Sequence, residues 1–425
     1  PKVFRSTYDE EEAEQRILYR NENIFGIGHS CSVDWVSQDG FVAEEVNMNF
    51  LPKSITKGAT SELDELKGLN ALNLSFLANE DNQNLICTEL KKFVDPYKDW
   101  VQDTIKELNK LKSNIDPSLD VGDSYSEDAV DHLINKLNEC VRRLDIGVDL
   151  LTNNTKAMKA FQFANLAMLM QMNHAKKYDD IVTISDIGNK FFEKDHNMVS
   201  EFNGLDYFSS NVFNWRPFQL AYFLICSDSV INPDSNEREV VDLIWFATGG
   251  GKTEAYLLVS AFLIFYKKIM DPDHNYPEIM MRYTLSLLTQ DQFIRSTRFI
   301  TACEKIRREN ITILGDHEIN IGLWIGGDGV PNRIEGEHGA QAKLDDLLEE
   351  SEPEKKSNTF IINTCPWCGT NLVPQLKKDK KYYGFDCNRA KFNIFCPSTD
   401  CEFHKGLPVQ VIDHELYKNP PTFLL

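Results

Sequence analysis

The 425 residues predict an α/β fold, a parallel sheet around a phosphate-binding loop, with an inserted zinc ribbon and a mainly helical domain in front. Three observations lead there. The stretch FATGGGKTEA, residues 246–255, joins the apolar run VVDLIWF to the helix-compatible AYLLVSAFLIFY. Strand-like and helix-like runs then alternate. Beyond them Cys365, Cys368, Cys396 and Cys401 come in two pairs.

Residues 1–60 combine a charged start with NIFGIGHSCSVDW and the alternating FVAEEVNMNF, a pattern of short strands or an irregular lead-in without a functional signature. From Leu63 to about Tyr178 the pattern is helical. Val130, Leu133, Ile134, Leu137, Cys140, Val141, Leu144 and Val148 recur at three and four, behind a Ser124/Glu127 capping box. The Met-rich KAMKAFQFANLAMLMQMNHAKKY reads as core, with a partner groove as the alternative. A linker near 193–210 separates residues 1–205, the helical domain, from 206–425.

In the second part, Val240–Phe246 reads as a buried strand and the glycine turn as a phosphate loop opening a helix. Strand Glu278–Thr284, a helix over about 287–308 and strand Ile319–Ile325 complete a β-α-β-α-β series, which implies a parallel sheet with crossover helices. Residues 342–358, rich in acids, read as a solvated helix end and linker. VQVIDHELY, residues 409–417, superficially suits a Mg²⁺-holding carboxylate strand, but Gln410 interrupts it and no acid follows Asp413 directly. It reads as a linker.

The chemistry of the glycine turn follows from its backbone. A strand that ends in glycines and reopens as a helix points several N–H groups into one concavity at the positive end of the helix dipole. Thr248, Gly249, Gly250 and Gly251 let the chain curl around phosphate oxygens; Lys252 reaches the β/γ-phosphates and Thr253 offers a hydroxyl to Mg²⁺, which makes these two the candidate catalytic residues. The full motif has a further glycine where this chain carries Phe246. A chance Gly-rich turn is the plain alternative.

Cys365, Cys368, Cys396 and Cys401 have zinc-ribbon spacing, C-x-x-C, 27 intervening residues, then C-x₄-C, within about 360–406. A structural Zn²⁺ site is expected, with Cys387 and His404 as spare ligands. A redox C-x-x-C is disfavoured because no βαβ unit surrounds it. QLKKDKKYYGF between the pairs suits either a nucleic-acid finger or an exposed hairpin tip.

Composition narrows the field. A net charge of −20 argues against a simple nucleic-acid binder, and it divides unevenly: residues 1–209 carry −14 and residues 210–425 carry −6. Ten cysteines, five of them between 365 and 401, indicate reduced thiols with a local metal site rather than a disulfide framework. The longest apolar run, Tyr256–Tyr266, is too short for a bilayer and PKVFRSTYDEEEAEQR has no signal-peptide core. A soluble, cytoplasmic protein without a membrane partner is expected.

Taken in order, GIGHSCSVDW, FNWRPFQLAYFLI, VVDLIWFATGGGKTEAYL, MRYTLSLLTQDQF, IGLWIGG, CPWCGT and DHELYKNPPTFLL resemble superfamily 2 helicases, and more narrowly the helicase subunit of the DISARM anti-phage defence system. The resemblance implies a RecA-like first motor domain over 206–425, interrupted by the ribbon, and ATP-driven work on DNA alongside other defence subunits. ATGGGKT fits the family's loop, whose first glycine is commonly replaced. Gln219, 33 positions before Lys252, matches the residue that hydrogen-bonds adenine, with a plain helix N-terminal cap over Arg-Pro-Phe-Gln as the alternative. Arg282, Thr284, Gln290 and Gln292 match the segment that grips single-stranded DNA through its backbone, without reading bases. A solvated basic face is the plainer reading for Arg298, Lys305, Arg307 and Arg308. The family's Walker B motif and second motor domain are not found in these residues, so nucleotide binding without hydrolysis is expected of them. A P-loop ATPase of another class and a non-enzymatic nucleotide-fold module are the alternatives.

Overall fold

A computed structural model of the protein describes residues 10–20, 25–26, 28–29, 31–38, 42–49, 63–113, 127–188, 199–202, 204–208, 213–246, 249–282, 286–326, 330–349, 358–373, 383–388 and 391–425. The helices are α1 (Glu10–Leu18), α2 (Leu74–Ala78), α3 (Gln83–Ser113), α4 (Glu127–Asn153), α5 (Thr155–Gly188), α6 (Val199–Phe202), α7 (Pro217–Ile231), α8 (Lys252–Met270), α9 (Ser286–Glu309), α10 (Ile311–Leu314), α11 (Ala340–Glu349) and α12 (Asp413–Lys418). The strands are β1 (Ser32–Val36), β2 (Glu45–Asn49), β3 (Ile279–Met280), β4 (Ile321–Gly322), β5 (Phe385–Cys387), β6 (Phe392–Ile394), β7 (Val409–Gln410) and β8 (Phe423–Leu424). Two compact units result: residues 1–67 with 91–145, and residues 68–90 with 146–425.

In the first unit β1 and β2 pair antiparallel, Trp35 opposite Val46. Ile17, Leu108, Ala129, Val130 and Leu133 form its apolar cluster, which is the face that the three-and-four periodicity of α4 defines. Ser124, half of the expected capping box, lies outside the described residues; α4 begins at Glu127.

The second unit is organised by α5. Its Met-rich stretch is core, as its spacing predicts: Ala157, Met158, Phe161, Phe163, Ala164, Ala167, Met168 and Leu169 are all buried. Phe161 stacks on Phe223 of α7 at 4.8 Å, Phe163 packs on Phe265 of α8 at 5.5 Å, and Phe223 meets Phe262 edge-on at 5.1 Å. Each such ring stabilises the fold by about 2–3 kcal/mol through burial. The end of α4 approaches α7 closely enough that a side chain at Gly147 would strike the Leu224 carbonyl.

Beside these helices lies a parallel sheet of four short strands in the order β3-β8-β4-β7. Ile321 of β4 sits opposite Val409 on one side and Phe423 on the other, and Ile321 and Phe423 are fully buried. The connection between the neighbours β4 and β7 contains α11 and the cysteine ribbon, whose hairpin pairs β5 with β6 antiparallel.

Three expectations are corrected. The run 240–246 belongs to no strand of the described residues, and Val241, Leu243 and Trp245 are 91%, 78% and 91% exposed. Apolar content suits a buried parallel strand only where neighbours cover it, and no ladder among the described residues reaches this run. VQVIDHELY is not a linker: Val409 and Gln410 form the edge strand β7, and Asp413 opens α12 with its side chain buried. The basic end of α9 is not a solvated face. Arg307 is 6% exposed and grips the fully buried Glu304 with two bonds of 2.7 Å; Arg308 bonds the same carboxylate, and Lys305 pairs with Glu402.

Candidate functional site

Two clusters bring together residues singled out in the sequence. The first surrounds the glycine turn. Gly249 and Gly251 take φ of 77° and 84°, a left-handed conformation that glycine adopts without penalty, and Gly251 caps α8. A Cβ on Gly251 would sit 2.7 Å from the Gln219 amide, so side-chain-free backbone is needed for the approach. Lys252 and Thr253 follow as the first residues of α8.

The NWRPFQ segment is brought onto this turn from the start of α7. Pro217 opens that helix, where its missing N–H costs nothing. The Arg216 backbone N–H donates to Gln219 Oε1 at 2.8 Å, while Gln219 Nε2 donates to the Gly251 carbonyl at 2.7 Å. Arg216 Nη1 donates to the Gly250 carbonyl at 2.6 Å, and the Phe218 ring stacks on Phe246 at 4.2 Å. Lys252 Nζ donates to the Phe246 carbonyl at 2.7 Å. Thr248, the remaining expected phosphate-loop residue, lies outside the described residues.

From the other side α9 reaches α8. Thr253 Oγ1 donates to Gln292 Oε1 at 3.3 Å, and Arg295 forms an ion pair with Glu254. Burial draws the Arg295 guanidinium below its ordinary range. Gln292 is thereby placed beside the glycine turn. Gln290 is half-buried on the same helix, Arg282 is exposed just after β3, and Thr284 is outside the described residues. Arg216 and Glu254 were missed in the sequence. Arg216 could have been found from its place three residues before Gln219; the Arg295–Glu254 pair has no sequence signal, because α8 and α9 set its spacing.

The second cluster is the ribbon. Cys365, Cys368, Cys396 and Cys401 are all buried, and their four Sγ atoms lie within 4.8 Å of one another. The first knuckle is a tight turn in which the Gly369 N–H donates to the Cys365 carbonyl at 2.9 Å, with Gly369 at φ 70°. The second places the Cys401 N–H on the Ser398 carbonyl at 3.1 Å. Cys368 Sγ is 3.5 Å from Cys396 Sγ. Burial pushes the Cys365 thiol well above its ordinary range, whereas hydrogen bonds from Cys365, Cys396 and Cys401 hold Cys368 far below it. Four buried cysteine sulfurs this close together are a donor set that a divalent cation such as zinc could bind. Cys387 stands in β5 outside the tetrad, and His404 Nδ1 is hydrogen-bonded to the Cys396 carbonyl at 2.8 Å. The lysines at 377–381 and Tyr382 are outside the described residues, while Tyr383 is fully buried.

No family model matches the chain. It is 30% identical over 429 aligned residues to DISARM protein DrmA of Bacillus paralicheniformis, an alignment that covers 96% of this chain and 34% of that protein. The chain resembles DrmA. The chain spans about a third of DrmA's length. Among the described residues no helix is long and apolar enough to cross a membrane.

Proposed function

We propose that the protein is a DrmA-like helicase subunit of an anti-phage defence system, with residues 206–425 as the first RecA-like motor domain and residues 1–205 as a mainly helical domain in front. The observation that carries this reading is the convergence of Arg216 and Gln219 on Gly250 and Gly251, next to Lys252 at the start of α8. In this reading Thr248 to Thr253 hold the phosphates of ATP, the Thr253 hydroxyl faces Mg²⁺, and Gln219 and Phe218 lie where adenine is bound. The donors fit an anion: glycine backbone without Cβ atoms, a lysine and a helix N-terminus. Bound ATP-Mg²⁺ would supply the free energy for translocation.

Arg282, Thr284, Gln290 and Gln292 are proposed to hold single-stranded DNA by its backbone, so affinity is independent of sequence and falls steeply with salt. The cysteine tetrad is proposed to hold one structural zinc. The Walker B acids and the second motor domain are proposed to lie outside these 425 residues, with other DISARM subunits as partners in the cytoplasm. Nucleotide turnover by the 425 residues should then be negligible. Robust turnover would refute that part and return Asp413 to consideration as a metal carboxylate. ATPase activity indifferent to DNA would instead favour a P-loop ATPase of another class.

A further inference from the structure

The cysteine ribbon carries an aromatic ring in each knuckle, and each ring docks on a different helix of the second unit. Trp367 lies between Cys365 and Cys368, Phe403 two residues after Cys401, and the two rings meet edge-on at 5.7 Å. Trp367 is 4.0 Å from the ring of His174 on α5. His174 is itself 2% exposed, with Nδ1 on the Trp367 carbonyl at 2.5 Å and Nε2 facing the Tyr207 hydroxyl at 2.8 Å. Because a carbonyl only accepts, the proton sits on Nδ1 and the tyrosine donates to Nε2. Phe403 lies under the Arg308 guanidinium of α9 at 4.5 Å. Arg308 is anchored by the buried Glu304, and Lys305 one turn away pairs with Glu402 of the second knuckle.

The opposite end of α9 supplies Gln292 and Arg295 to Thr253 and Glu254 of α8. A rigid helix therefore links the ribbon to the glycine turn. We propose that the four-cysteine site is a metal-dependent clasp: metal holds the two knuckles in the geometry that lets Trp367 and Phe403 fasten α5 to α9, and α9 in turn braces the start of α8. This rests on the tetrad's being a metal site. It assigns Trp367, His174 and Arg308 as positioning residues, remote from any reacting atom. An ordinary structural ribbon would stabilise only itself; a clasp makes the order of two helices outside the ribbon depend on the metal.

Hydrogen exchange on the purified protein, with metal content measured on every sample, separates the two ideas. In the zinc-loaded protein the amides of 168–178 on α5 and 298–309 on α9 should be protected. Chelation should raise their exchange about tenfold or more, as local opening free energies fall, while 128–137 of α4 in the other unit stays unchanged. Trp367→Ala keeps all four cysteines and should show the same loss on α5 with one zinc still bound. If Trp367→Ala loses its zinc, Arg308→Ala, which leaves both knuckles intact, takes its place with the loss expected on α9. Unchanged protection in the chelated protein, or in the zinc-loaded variant, overturns the clasp. Absence of any metal in the purified wild type overturns instead the metal reading beneath it.

Discussion

Gln219 donates its side-chain amide to the carbonyl of Gly251 across 2.7 Å, so the first turn of α7 holds the residue that caps α8. Its oxygen is used as well, by the Arg216 backbone N–H. Gln219→Ala removes both partners at a buried position and should cost about 1–2 kcal/mol of stability. Gln219→Glu should cost more, since a carboxylate would face the carbonyl. Thermal unfolding measures both. In the nucleotide reading each variant also weakens ATP binding, through a loop no longer held in shape.

Glu304 has no exposed surface and satisfies Arg307, Arg308 and the Ile319 N–H together. Its removal leaves the Arg307 charge buried without a counter-ion. Glu304→Ala should destabilise by about 3–5 kcal/mol, and Arg307→Ala by a comparable amount. Denaturant unfolding should show both; an Arg307 variant as stable as the wild type would mean that the guanidinium is solvated after all.

His174 gives a pH dependence with a definite sign. Burial lowers its pKa from 6.5 to about 4, so the unfolded chain binds the proton more readily than the folded one between those values. The stability that neutral His174 contributes is complete above about pH 6.5 and is lost as pH falls toward 4, by about 3 kcal/mol in all. Unfolding free energies at pH 7 and pH 5 should therefore differ more in the wild type than in His174→Asn. Every other group is common to both proteins, so equal slopes would refute the assignment.

One zinc per chain is expected by metal analysis. Cys365→Ser, Cys368→Ser, Cys396→Ser and Cys401→Ser should each lose it, with local unfolding of the ribbon. Cys387→Ser and His404→Ala should keep it. The reverse pattern would show that the ligand set is wrong.

The sequence reached the tetrad and the helical core because each is written in spacing: two cysteine pairs, and apolar residues at three and four. It reached the position of the glycine turn, since a turn needs glycines at known places. It missed β7 and β8, because strands of two residues carry no periodicity and are made strands by their neighbours Ile321 and Ile279. It misjudged 240–246 for the same reason in reverse, since an apolar run is a strand only when something pairs with it. Arg307 was misread because a buried arginine differs from a solvated one only by Glu304 three residues back and by the Gly315 carbonyl, which Nη1 reaches at 2.7 Å.

Under the proposed function, Gln219 and the glycine turn before Lys252 form a nucleotide site. Equilibrium binding of a fluorescent ATP analogue with Mg²⁺, to the wild type and to Lys252→Ala, tests it most directly. The wild type should bind saturably and the variant at least about tenfold more weakly, about 1.4 kcal/mol or more, with the fold unchanged by circular dichroism. No saturable binding by the wild type, or equal affinity in the two proteins, would contradict it.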